Sequence, residues 1–443
     1  MDRQTAGPAE AGTLLPDHAG TPPSTLLGGG KQVTESSESV GPLDGLHVLD
    51  LSRILAGPYL TMLLGDLGAE VIKVERPGSG DDTRSWGPPF VGPAKASEST
   101  YFLSANRNKL SIEIDLKAME DRPLVEELVR WSDVLVENFR PGVMDGLGLS
   151  DHELAELNER VVRVSISGFG DEGPERDRVG YDQILQAEGG LMSVTGDPGG
   201  HPTKVGVPIA DLTAGLFGVI GALSALIERH RSGLGQRVST SLLAGQVGIH
   251  VFQATRYLVT GEVPGLSGRV HPTVMPYGMF DTADGSIVIA AGNDVLWRRF
   301  AAVIGLDPDD PRFSTNADRV ANRDILHGLI GTALAARPSS AWLNDLSFAA
   351  VPAGEVKGMD RVYSDKQVRS QDLVWSVDHP TIGRITLPGN PLRFSRSKLS
   401  RRLPPPSLGE HSEAIRRAMQ EHAQPRRGAR NDDATQTPQV GGA

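Results

Sequence analysis

Short β-branched runs alternating with helix-forming segments constrain this chain more than any other feature. Val48-Leu49-Asp50-Leu51 is followed by a helical pattern through Tyr59, Met62, Leu63 and Leu67, and then by Val71-Ile72-Lys73-Val74. Leu110 to Leu116, a helix over 122–131, Val134-Leu135-Val136, a helix around 153–158, and Val161 to Ile166 continue the alternation. Apolar strands spaced by helices predict an α/β fold with a Rossmann-like, doubly wound parallel sheet. Ligands of such sheets sit at the carboxyl ends of the strands. The loops after Leu51, Glu75, Asn138 and Ser167 are therefore the places to look.

The rhythm changes near residue 265. Residues 279–289 read as a hairpin turning at Asp284-Gly285, helices follow near 296–304 and 323–335, and an extended pair occupies 375–377 and 385–387. The expected layout is a large domain over 43–235, linker helices over 236–264, a smaller α+β domain over 265–370 and a return segment over 371–400. Residues 1–42 and 401–443 are rich in Gly, Pro, Ser and Thr or poor in apolar periodicity, and read as disordered tails. No internal repeat is evident.

Composition narrows the function. The 443-residue chain carries a formal charge of −11, which argues against nucleic-acid and anionic-membrane partners. With 0 cysteines there is no thiolate nucleophile, disulfide or Cys-type zinc site, and a reducing cytoplasm fits. The N-terminal stretch has no continuous apolar region of the kind a secretory signal needs. The most apolar window, Leu216 to Ile227, reads as a core helix too short to cross a bilayer.

One carboxylate stands out. Asp211 lies where an extended run ends and that apolar helix begins, with no Lys or Arg within about five positions. Either it caps the helix through its side chain, or the helix dipole holds it anionic as a nucleophile. Cations and amides also recur at strand ends: Arg76 after Glu75, the run Asn106-Arg107-Asn108-Lys109, and Asn138-Phe139-Arg140. Three such clusters on one sheet fit a phosphate-bearing ligand, with Phe139 offering a face to a base. A nicotinamide dinucleotide fits poorly, because the first turn, Leu51 to Pro58, holds one glycine where that fingerprint needs three.

Several ordered motifs resemble CoA-transferase family III. They are Asp50-Leu51-Ser52-Arg53 with Ala56-Gly57-Pro58, Leu67-Gly68-Ala69-Glu70-Val71-Ile72-Lys73-Val74-Glu75, and Asn108-Lys109. Glu137-Asn138-Phe139, Ser167-Gly168-Phe169-Gly170, Gly180-Tyr181-Asp182, Ala210-Asp211, Pro276-Tyr277, Pro311-Arg312-Phe313 and Val351-Pro352-Ala353-Gly354 extend the match over nearly all of 43–395. The resemblance implies that Asp211 is a covalent nucleophile passing CoA from an acyl-CoA such as succinyl-CoA to a small carboxylic acid. It implies a CoA site made by Leu55, Ala56, Arg76, Asn106, Asn108, Lys109, Asn138, Phe139, Arg140 and Tyr181. It also implies an interlocked homodimer, with CoA as a substrate moiety and neither metal nor redox cofactor.

Leu55 stands where formyl-CoA transferases carry a glutamine, and Gly146 where they carry an arginine, so formyl/oxalate specificity is not expected, while ordinary acyl-CoA transfer is. The family also contains α-methylacyl-CoA racemases, which place a histidine at the position of Tyr181. A tyrosine, with an ordinary pKa near 10, suits proton abstraction poorly. A racemase and a non-catalytic acyl-CoA-binding homologue are the alternatives. Residues 264–272 read equally as an active-site lid or an interdomain linker, and His271 as structural.

Overall fold

The computed structural model describes residues 41–94 and 96–423. The expected tail over 1–42 falls almost wholly outside them, as do residues 424–443. The first half of the chain builds β1 (His47–Asp50), α1 (Ala56–Asp66), β2 (Glu70–Glu75), β3 (Lys109–Glu113), α2 (Arg122–Trp131), β4 (Val134–Glu137) and β5 (Val162–Ser167). After α3 (Asp182–Glu188) and the long α4 (Ile209–Ser232) comes β6 (Arg237–Ser241). All six strands pair in parallel, in the order β3-β2-β1-β4-β5-β6. This is a Rossmann order, whose direction reverses between β1 and β4.

Alternation along each strand sends successive side chains to opposite faces. Val48, Val71, Val134 and Val164 pack beneath α1 and α4, through Leu60, Leu64, Ala214 and Ala222. Leu49, Ile72, Leu110 and Leu135 face the other way, against Val125 and Leu128 of α2. Glycine lets α1 and α4 approach closely: a Cβ on Gly215 would lie 2.8 Å from the Ala56 carbonyl oxygen, and one on Gly218 2.4 Å from Leu60 Cδ1.

Three sequence expectations need correction. β6 belongs to the large sheet, so the linker begins after Ser241; its run Arg-Val-Ser-Thr-Ser is a polar edge strand that an apolar-run criterion passes over. Residues 401–423 are ordered. Arg402 donates to the carbonyls of Gly68 and Ala69, and α5 (Ser412–Ala423) buries Ile415 and Met419 in the core. Ile415 and Met419, one turn apart, carry that packing with the small Ala418 beside them, too short a period to read. α4, finally, is 24 residues long, enough by length and composition to span a bilayer. In this fold its Ala/Gly face is buried, whereas Leu216, Phe217, Ile220 and Ile227 are exposed.

Beyond α4 lie helices Leu242–Gly248 and Val251–Thr260. A small sheet then forms from Tyr277–Asp281, Ser286–Ala290 and Ala353–Glu355, all antiparallel, packed on Trp297, Phe300 and Leu326. The first two strands are the hairpin expected at Asp284-Gly285. An antiparallel pair, Val374–His379 with Gly383–Pro388, leads the chain back. Residues 264–272 are tied at both sides: Gly268 N–H donates to the Gly196 carbonyl, and His271 stacks on Phe252 and Tyr277.

Candidate active site

The loops at the reversal point enclose a cavity of about 610 Å³. It runs from Asp115–Lys117 beyond β3, past Arg76, Arg53 and Asn138–Arg140, to Gly168, Tyr181 and Asp211 beyond β5. Four inter-strand steps separate β3 from β5, so the trough is roughly 19 Å long. Its span suits an extended ligand better than a compact one.

Across the reversal point the two loops grip each other. Asn138 Oδ1 accepts from Arg53 N–H at 2.8 Å, and its amide donates to the Arg53 carbonyl at 2.6 Å. Next to them Ile54 adopts φ 72°, a left-handed conformation costly for a β-branched residue. Its N–H donates to both oxygens of Asp81, at 3.2 and 3.3 Å. Lys73 Nζ pairs with Asp81 at 2.9 Å and donates to the Ser52 carbonyl at 2.9 Å. Burial raises the Asp81 carboxyl, but Lys73 and the Thr83 N–H outweigh it and bring it down to about 2.

A second buried pair sits behind the loop. Lys109 Nζ lies 3.0 Å from Asp50, which also accepts from Thr61 Oγ1 at 2.6 Å and from the Ser52 hydroxyl. Burial pushes Lys109 down to about 8 against the pull of Asp50. Asn106 Oδ1 accepts from the same ammonium, and Asn108 bonds Asp66, the Ser400 carbonyl and Leu403 N–H. Asn106, Asn108 and Lys109 are therefore buried struts, absent from the cavity wall, and their expected phosphate contacts are corrected. Their charges and amides are consumed internally. Leu55 is likewise buried outside the wall, at the N-cap of α1.

The remaining expected residues, Ala56, Arg76, Asn138, Phe139, Arg140, Tyr181 and Asp211, line the cavity together. Lys117 also lines it and was not expected. It lies in the loop beyond β3, as Arg76 lies directly beyond β2, so the strand-end rule points to that loop. Arg76 shares Asp82 with Arg53; Lys117 and Arg140 have no ion-pair partner among the described residues.

Asp211 does not cap its helix. The N-cap of α4 is Pro208, and Asp211 is the third helical residue. The capping acceptor is Asp182, whose Oδ1 takes the Ala210 N–H at 2.8 Å. Asp211 has no ion-pair partner among the described residues. The helix dipole favours the anion, yet burial, reinforced by the charge of Asp182, pushes its carboxyl up to about 7. Tyr101, on the short helix Thr100–Ser104, feels the same field: burial and the Asp211, Asp182 and Asp81 carboxylates push its phenol up to about 12. No periodicity marks Tyr101 in the sequence.

The model of CoA-transferase family III matches residues 43–412, nearly everything described. The chain belongs to CoA-transferase family III. Among this family member's relatives, succinyl-CoA:glutarate CoA-transferase of Mus musculus is 41% identical over 380 residues, covering 85% of this chain and 86% of that protein. Succinate–glutarate CoA-transferase of Agrobacterium fabrum is 39% identical, covering 86% and 97% respectively. A CAIB/BAIF family protein from Brucella suis superposes with a TM-score of 0.78 at 39% identity, covering 86% of this chain and all of that one.

Proposed function

We propose that this family III enzyme moves CoA from succinyl-CoA, or a similar acyl-CoA, to a small carboxylic acid through covalent intermediates on Asp211. The observation that carries this reading is an unpaired carboxylate at one end of a trough whose opposite reaches carry Lys117, Arg76 and Arg140. The carboxylate oxygen attacks the thioester carbonyl, the C–S bond breaks and CoA leaves as a thiolate, giving a mixed anhydride. The thiolate then attacks the Asp211 carbonyl carbon and expels the donor acid, leaving an aspartyl-CoA thioester. The acceptor carboxylate displaces the thiolate to form a second anhydride. Return of the thiolate to the acceptor's carbonyl releases new acyl-CoA and regenerates Asp211. Each step exchanges one good leaving group for another.

CoA is substrate in this scheme, and no further cofactor enters it. Lys117, Arg76 and Arg140 take the phosphates, Phe139 the base, and Tyr181 contacts the acyl end. A racemase reading is not favoured, since Tyr181 occupies the place of the proton-transfer histidine. Both relatives named above act with glutarate by name, which makes a dicarboxylate the preferred acceptor. We place the reaction in the cytoplasm. The exposed apolar faces of α4 and of helix 251–260 call for cover, and a second copy of this chain supplies it in an interlocked homodimer.

Incubation with a panel of acyl-CoAs including succinyl-CoA, then intact-mass and peptide analysis, tests the reading. The expected result is a CoA adduct on Asp211 that Asp211→Asn abolishes. A panel that labels nothing, or labels the variant equally, overturns it.

A further inference from the structure

α3 does more than support the cavity wall. Asp182 Oδ1 accepts from Ala210 N–H at 2.8 Å, in the first turn of α4. Its other oxygen accepts from Gln186 Nε2 at 2.8 Å. Gln186 is fully buried, and accepts from Val205 N–H at 2.8 Å while reaching the Val207 carbonyl at 3.3 Å. Two side chains one turn apart on α3 thus hold the segment 205–210 that leads into Asp211. We infer that Asp182 and Gln186 are positioning residues: Gln186 fixes the approach to the nucleophile's helix, and Asp182 both caps that helix and sets a second carboxylate against its first turn, next to the nucleophile.

The inference rests on Asp211 being the nucleophile. A capping Ser or Asn would satisfy the Ala210 N–H equally well; a carboxylate in addition accepts from Gln186 Nε2 and brings a charge. Two neighbouring carboxylates repel, and the repulsion ends when Asp211 becomes neutral, either by protonation or by acylation. Asp182 therefore raises the energy of the free nucleophile and favours its covalent forms. The phenol of Tyr101 feels the Asp211 and Asp182 carboxylates. Tyr181, Arg178 and Arg53 line the same cavity, Arg178 held by Glu175 and Glu188 and Arg53 by Asp82.

Protonation and acylation both compare charged with neutral Asp211, so one interaction moves both equilibria together. In wild type, kcat/KM for succinyl-CoA with glutarate should rise with pH through about 7. Asp182→Asn should move that limb about one pH unit lower and reduce the equilibrium fraction of CoA adduct about tenfold. Gln186→Leu should lower the rate at every pH and leave the limb in place, because no charge is changed. Thermal melts check folding, and Asp182→Ser, also a neutral cap, replaces Asp182→Asn if the latter does not fold. A limb and an adduct fraction unmoved in folded Asp182 variants overturn the inference while leaving covalent catalysis intact. Absence of any adduct on wild-type Asp211 is the distinct result that removes the underlying reading.

Discussion

Two sets of charges, one built into and behind the cavity wall and one at its far end, behave oppositely. Lys73 with Asp81, and Lys109 with Asp50, are fully buried, mutually paired and bonded to backbone or hydroxyl partners. Asp211, at the far end of the same trough, has a carboxylate neighbour in place of a cation. Burying a charge costs several kcal/mol unless it is paired. The first set meets that cost with partners and yields a rigid strained loop at Ile54. The second leaves it unmet, and the residual instability suits the nucleophile role proposed for Asp211. Pairing, more than charge itself, separates scaffold from chemistry here.

The comparison breaks most visibly in activity. Asp211→Asn should lower CoA transfer at least ~1000-fold in a steady-state assay, whereas a paired carboxylate should not show such a loss with the fold intact. Next comes stability. Lys73→Met leaves Asp81 buried and uncompensated, and chemical denaturation should show a loss of about 3–5 kcal/mol. The Ile54 loop should loosen with it, seen as faster amide exchange.

Asp211→Asn should act in the opposite direction on stability. The folded-state carboxyl titrates at about 7, above its ordinary value of 3.8. Between those values the folded state binds the proton and the unfolded state does not, so stability falls as pH rises through the window. Removing the group should stabilise the protein by roughly 4 kcal/mol above pH 7, with the gain gone below about pH 4. A melt series on both proteins across that range checks the sign. The smallest effects belong to the cations left without partners: Lys117→Ala and Arg140→Ala should each raise KM for acyl-CoA about three- to tenfold, less at high salt. Equal loss for Lys109→Ala with no loss of stability would blur the distinction between paired and unpaired groups.

Much of this was legible in the residues. Apolar strand runs at regular spacing marked five of the six parallel strands, and strand-end logic marked Arg76, Asn138, Phe139 and Arg140. The cluster Asn106 to Lys109 misled for a physical reason. A cation before a strand reads the same whether it points to solvent or to a buried Asp, and the partner Asp50 is 59 residues away. Asp182 stands within the Gly180-Tyr181-Asp182 motif, but its role as the cap of α4 depends on a 28-residue separation that no local pattern encodes. Tyr101 reaches Asp211 only through the tertiary fold.

The return of the C-terminal segment to β3 bears on how the protein is made. β3 is an edge of the sheet, and Ser412 Oγ meets its Glu113 N–H across 299 residues of sequence. At ribosomal rates the strand emerges roughly 15–60 s before the segment that covers it. Through that interval an unsatisfied strand edge is open to mispairing with another nascent chain. Final closure of the large domain is thus a late event of synthesis, and a chain cut short before residue 412 would leave the ribosome with that edge still bare.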